Sequence, residues 1–141
     1  MRNIEKIILH CAATQEGRHF DVKDIDAWHR RKGWNGCGYH YVITLDGTIQ
    51  AGRPIHKQGA HTKGLNSTSI GICYIGGVEA ERGANGKWIA KDTRTDDQKE
   101  SILLLMKVLK KMHPGATIHG HRDFAANACP SFDATKEYSK I

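Results

Sequence analysis

The chain has 141 residues, enough for one domain with a core of its own. A hydrophobic fraction of 39% and a charged fraction of 26% are ordinary for a globular protein, and the longest apolar run, Ile102 to Met106, is too short to cross a membrane. The net charge of +6 favours polyanionic partners such as anionic bacterial wall polymers or nucleic acid, but the positive residues are scattered, so charge alone selects neither.

Residues 4–11 read as a strand that is apolar on both faces, hence central in a sheet. Alternation puts Ile8 and His10 on one face and Ile7, Leu9 and Cys11 on the other. Asp21 is an N-cap for a helix over about 22–32, with Val22, Ile25, Trp28 and His29 on one stripe and Gly33 past its end. Tyr39 to Leu45 and Thr48 to Ala51 flank Asp46-Gly47, a hairpin signal. Ser69 to Ile75 reads as a buried strand stopped by Gly76-Gly77, and residues 77–94 as a long polar surface loop. Thr95 and Gln98 form a capping box that opens a helix over about 96–112. Its inward residues are Ile102, Leu105, Met106, Leu109 and Met112, and His113-Pro114-Gly115 closes it. Ala116 to His119 form a short strand, and Asp133 starts a last short helix. The expected fold is α/β (mixed α+β): one domain over 1–141, with a central mixed sheet of about five strands flanked by about three helices.

Three side chains in this layout suit a metal: His10 at the end of the first strand, and His121 and Cys129, eight positions apart on a loop. Two imidazoles and a thiolate match zinc, and three protein ligands leave a fourth tetrahedral position open, as in catalytic sites. The residues alone leave rivals. His119 shares a strand face with His121, and Cys11 or Cys73 could supply the sulfur. Four cysteines, no CxxC pair and no secretory leader in Met1 to Lys6 favour free thiols.

A set of short segments then carries a resemblance. In order they are Leu9-His10-Cys11-Ala12-Ala13-Thr14, Trp28-His29, Gly33-Trp34, Gly38-Tyr39-His40-Tyr41, Asp46-Gly47-Thr48 and Ala51-Gly52-Arg53. They continue with Gly59-Ala60-His61, Lys63-Gly64, Asn66, Ser69-Ile70-Gly71-Ile72-Cys73, Gly76-Gly77 and Ala128-Cys129-Pro130-Ser131-Phe132-Asp133. The chain resembles the type-two N-acetylmuramoyl-L-alanine amidases, the superfamily that includes the peptidoglycan recognition proteins, and within it phage lysozymes of the T-seven type. The resemblance implies a zinc-dependent peptidoglycan amidase with one zinc ion in a surface groove. The implied ligands are His10, His121 and Cys129, which leaves His119 a groove or strand residue. Tyr39 takes the position of the catalytic tyrosine, with Tyr41 expected on the same strand face. His61 and Asn66 take substrate-groove positions, although asparagine is also a common turn residue. Two residues before the cysteine the nearest relatives carry an oxyanion-stabilising lysine, and here that position is Asn127. An amide still donates, but without a full charge; Arg122 is the nearest cation in sequence. Asp123 is a candidate partner for the second nitrogen of His121.

The partners implied are bacterial peptidoglycan or muropeptides, met by a monomer with no membrane insertion. No nucleic acid is expected, since an aromatic–basic platform is lacking. Contact with RNA polymerase, a property of the T-seven type, is not expected, because this chain begins closer to its first ligand. Synthesis in the cytoplasm followed by release to the cell wall at lysis completes the expectation.

Overall fold

A computed structural model describes residues 2–141; Met1, where the segment read for a leader begins, lies outside the described residues. The hub is strand β1 (Lys6–Cys11), whose Ile7, Ile8 and Leu9 are wholly buried. It is flanked on both sides by parallel strands, β5 (Ser69–Tyr74) and β7 (Thr117–Gly120). Beyond β5 lie β3 (Tyr41–Ile43), parallel to it, and β4 (Ile49–Ala51), the antiparallel return of a hairpin. The five-stranded order is β4-β3-β5-β1-β7. A continuous apolar run and a central position thus go together, because a strand covered on both faces has no polar side to offer.

Helix α2 (Asp96–Met112) covers one face: Ile102, Leu105, Met106 and Leu109 join Ile7, Leu9, Ile70, Ile72 and Tyr74 in one cluster. Helix α1 (Val22–Arg31) covers the other, where Ile25 joins Val42, Cys73 and Ile75. Both helices open on capping boxes: the one at Thr95 was read from sequence, and Asp21, read there as an N-cap, forms a second with Asp24. Asp21 accepts from the backbone of Lys23 and Asp24, and Thr95 exchanges hydrogen bonds with Gln98. Gln98 is itself buried, and its amide donates to the carbonyls of Ile43 and Ile75, pinning α2 to the sheet. A third, short helix α3 (Ala134–Glu137) follows Asp133.

Three expectations need correction. Met112 points outward, 62% exposed. The inward stripe continues from Leu109 at i+4, which is the half-buried His113. The strand expected from Tyr39 begins only at Tyr41, because Gly38 bonds instead to the backbone of Ala60, so close that a Cβ on Gly38 would meet the Ala60 carbonyl at 2.2 Å. The 77–94 segment is not all surface loop. Gly77–Val78 (β6) pairs in parallel with Thr14–Gln15 (β2) as a second small sheet, and Thr93 and Arg94 are buried.

Candidate metal centre

The sheet register brings the first two donors together. Leu9 pairs with Gly120, so the residues that follow, His10 and His121, emerge side by side with ring centroids 4.5 Å apart. His121 leads a one-turn 3-10 helix (His121–Asp123) that turns the chain away from β7. The loop then doubles back. The Arg122 amide donates to the Cys129 carbonyl at 2.6 Å, and the Cys11 amide donates to Cys129 Sγ at 3.2 Å. The donor atoms of His10, His121 and Cys129 all lie within 4.8 Å of one another. No other such group of three occurs among the described residues.

The rivals lie outside this cluster. His119 faces away to Thr117 Oγ1 at 2.7 Å and the Asp123 carboxylate at 3.6 Å. Asp123 therefore serves His119 and the Thr135 hydroxyl rather than His121, contrary to the sequence reading. Cys73 is fully buried in the core beneath α1. Cys11 lies against Cys129 but points to the opposite sheet face, toward Ser131 and Gly77.

The donor set fits zinc: two neutral imidazoles and one sulfur, with no further charged group among them. Burial pushes His10 well below the ordinary imidazole value and lowers His121, so both rings stay neutral and keep a lone pair to give. The Cys11 thiol and then burial push the Cys129 thiol up, while the Cys11 amide pulls it back. A cation binding here must displace the Cys129 proton.

His10 is walled in from behind. His61 Nδ1 lies 2.8 Å from His10 Nε2, and Thr62 Oγ1 lies 3.3 Å from it. His61 reaches on to Ser69 Oγ at 3.3 Å. Burial lowers the His61 value to about 3, so it too is neutral at working pH. Asn66, read as a groove residue, uses its side-chain oxygen to accept from the amides of His61 and Thr62, which is the turn role.

Tyr39 stands with its ring 5.0 Å from that of His10 and 5.5 Å from that of His29. Burial, and then the Cys73 and Cys129 sulfurs, push its phenol well above its ordinary range, so the hydroxyl stays protonated. Tyr41 does not share its face: it packs against the α2-side cluster, because the chain bends at 38–40 before the strand begins. Asn127 is exposed two residues before the sulfur, with its side-chain oxygen accepting from the Cys129 amide at 3.1 Å.

Sequence reading gave no role to His29 or Thr62. His29 Nδ1 accepts from the Gly38 amide at 2.8 Å and its ring touches Trp34 and Tyr39, so it fixes the bend that presents Tyr39. Its place at the inner end of the α1 stripe was the available signal. A cavity of about 600 Å³ lies elsewhere, between α1 and residues 51–58, and holds none of the clustered donors. Donor chemistry, not cavity size, marks the centre.

The profile of the family described as N-acetylmuramoyl-L-alanine amidase matches residues 1–132. The endolysin of Klebsiella phage KP32 is 38% identical over 135 residues, covering 96% of this chain and 85% of that protein. The endolysin of Escherichia phage T7 is 38% identical, covering 96% of this chain and 86% of that protein. Among solved structures, the N-acetylmuramoyl-L-alanine amidase LysC from Clostridium intestinale URNW superposes with a TM-score of 0.78 at 28% identity, over 96% of this chain and 82% of that one.

Proposed function

The chain belongs to the N-acetylmuramoyl-L-alanine amidase family, and on that premise we propose that it acts as a zinc-dependent, phage-type endolysin. Its substrate is the amide between the lactyl group of N-acetylmuramic acid and the L-alanine of the stem peptide. Its cofactor is one zinc ion on His10, His121 and Cys129, and it reaches the cell wall after release at lysis. The observation that carries this reading is the convergence of two neutral imidazoles and one sulfur within 4.8 Å, beside a half-buried tyrosine.

When bound, zinc polarises a carbonyl and lowers the pKa of a water to about 7. The protein's own groups do the rest. Tyr39 keeps its proton at Oη and is placed to orient the attacking water or pass a proton as the amide breaks. Asn127 Nδ2, left over after Oδ1 is engaged, donates to the oxyanion that develops on the carbonyl. The Cys11 amide donates to Cys129 Sγ, which favours the thiolate a metal requires. Water adds across the amide to give glycan strand with a free lactyl carboxylate and stem peptide with a free L-alanine amine.

Mass spectrometry of the products from purified sacculi, with and without a zinc chelator, tests this. Chelator-sensitive release of stem peptides with an N-terminal L-alanine is expected. Binding to sacculi with no release, in zinc-loaded protein, would replace the enzyme by a recognition module. Asn127 in place of the family's lysine is the feature that motivates this second reading.

A further inference from the structure

We infer that His61 is a positioning residue for His10, and that Arg2 clamps the loop that carries it. The inference rests on the zinc-amidase reading and moves His61 from the substrate groove to the back of the metal centre.

Only one ring nitrogen of His10 is free. Its Nε2 is taken up by His61 Nδ1 at 2.8 Å and Thr62 Oγ1 at 3.3 Å, so Nδ1 is the atom left to face His121 and Cys129. A ring nitrogen binds a metal through its lone pair, so Nδ1 must be bare and Nε2 must carry the hydrogen. That hydrogen needs an acceptor, and His61 Nδ1 is the nearer one. The proton of His61 is then on Nε2, 3.3 Å from the hydroxyl of wholly buried Ser69. One tautomer assignment satisfies the whole relay, from His10 through His61 to Ser69. The usual partner of a metal-bound histidine is a carboxylate, a carbonyl or water. Here it is a neutral imidazole, which fixes the ring without adding negative charge to the centre.

The seat for His61 is built. Its ring stands edge-on to His10, 88° between planes, over two glycines. A Cβ on Gly71 or Gly59 would come within 2.7 Å of it. Asn66 Oδ1 holds the amides of His61 and Thr62. Arg2 closes the loop from outside: Nη1 donates to the carbonyls of Asn66 at 3.3 Å and Ser69 at 2.8 Å, and Nη2 to that of Ile55 at 2.8 Å.

The test compares His61→Leu, which removes the acceptor, with His61→Asn, whose Oδ1 stands near the former Nδ1. Zinc affinity is measured by competition with a chromophoric chelator, and sacculus binding by co-sedimentation. Loss of such a partner typically weakens metal binding by about 10–100-fold. That loss is expected for His61→Leu, with sacculus binding unchanged and most of the affinity recovered in His61→Asn. Unchanged zinc affinity with weakened sacculus binding would return His61 to the groove and overturn the inference. Nitrogen-15 NMR of zinc-loaded wild type is independent of how the variants fold. His10 protonated at Nε2 is expected, and protonation at Nδ1 overturns the inference. A wild type that takes up no zinc would overturn the zinc-amidase reading itself, and this inference with it, so the two failures are told apart.

Discussion

The candidate metal centre has two halves built on opposite plans. His10 comes from the central strand β1 and is itself 1% exposed, with sheet on either side and the His61, Thr62 and Asn66 layer behind it. His121 and Cys129 come from a loop whose intervening residues Arg122, Asp123, Ala126, Asn127 and Ala128 are exposed. That loop is fastened at a few points: Tyr74 Oη donates to the Pro130 carbonyl at 2.6 Å, Ser131 Oγ donates to the Gly77 carbonyl, and the Arg122 amide donates to the Cys129 carbonyl. Arg94 adds a tie from below, its guanidinium 3.5 Å from the Phe132 ring centroid and paired with Asp92 and Glu137. One donor is thus fixed by the fold itself, and two sit on an exposed loop held at a few points, the kind of segment expected to open before the core. The metal would join the halves, so the loop half should gain most from its binding.

Breaking the junction gives the largest effect. Cys129→Ser removes the only sulfur of the set and should lose tightly bound zinc and amidase activity together, by metal analysis and product release. Retention of both would sink the ligand assignment. Titrating the two halves separates them next. Burial lowers both His40 and His29, on the fixed side, to about 4, below the ordinary imidazole value near 6.5. The unfolded chain takes up protons first, so their contribution is present above about pH 6.5 and is lost as pH falls toward 4. On the loop side, Arg94 lowers the Glu137 carboxyl; for Asp92 burial opposes the shift but the Arg94 bonds and charge overcome it. Their contribution is complete above the ordinary carboxylate values near 4 and is lost only below them. Thermal melts from pH 7 to 3 should therefore show a decline that begins above pH 5; a flat profile down to pH 4.5 would contradict it. Arg94→Met should cost about 2 kcal/mol. That is less than the ~3–5 kcal/mol of a fully buried pair, because Asp92 and Glu137 keep 31% and 44% exposure. Hydrogen exchange should quicken in 121–133 and not in β1; equal quickening in both would dissolve the distinction between the halves.

The same division governs what the sequence made legible. The fixed half was readable as structure: an apolar run for β1, capping residues for α1 and α2, and Asp46-Gly47 for the hairpin each rest on local chemistry that survives folding. The donor types of His10, His121 and Cys129 were readable as chemistry, because few side chains suit zinc. What stayed hidden depends on contacts between distant segments. The two-residue strands β2 and β6 have no periodicity to detect. The bend that parts Tyr39 from Tyr41 is set by Ala60, about twenty residues on. The inward turn of His61 needs Gly71 beneath it and Arg2 behind it, and nothing in Gly59-Ala60-His61 alone distinguishes a ring facing a groove from one facing a ligand.

The finest test of the comparison is Asn127→Lys, because it sets order in the loop half against charge. Asn127 spends its side-chain oxygen on the Cys129 amide, so it holds the loop in the turn that presents the sulfur. A lysine cannot accept there, and the lost bond should cost about 1 kcal/mol and a few degrees of melting temperature. In exchange it brings a full charge to the side where the proposed reaction develops its oxyanion, and charge-assisted bonds are about twice as strong as neutral ones. The expected outcome is a kcat raised by up to about tenfold, equivalent to about 1.4 kcal/mol of barrier, with KM little changed. A lower kcat together with weaker zinc binding would mean that the turn matters more than the charge, and that Asn127 serves the metal centre chiefly by holding Cys129 in place.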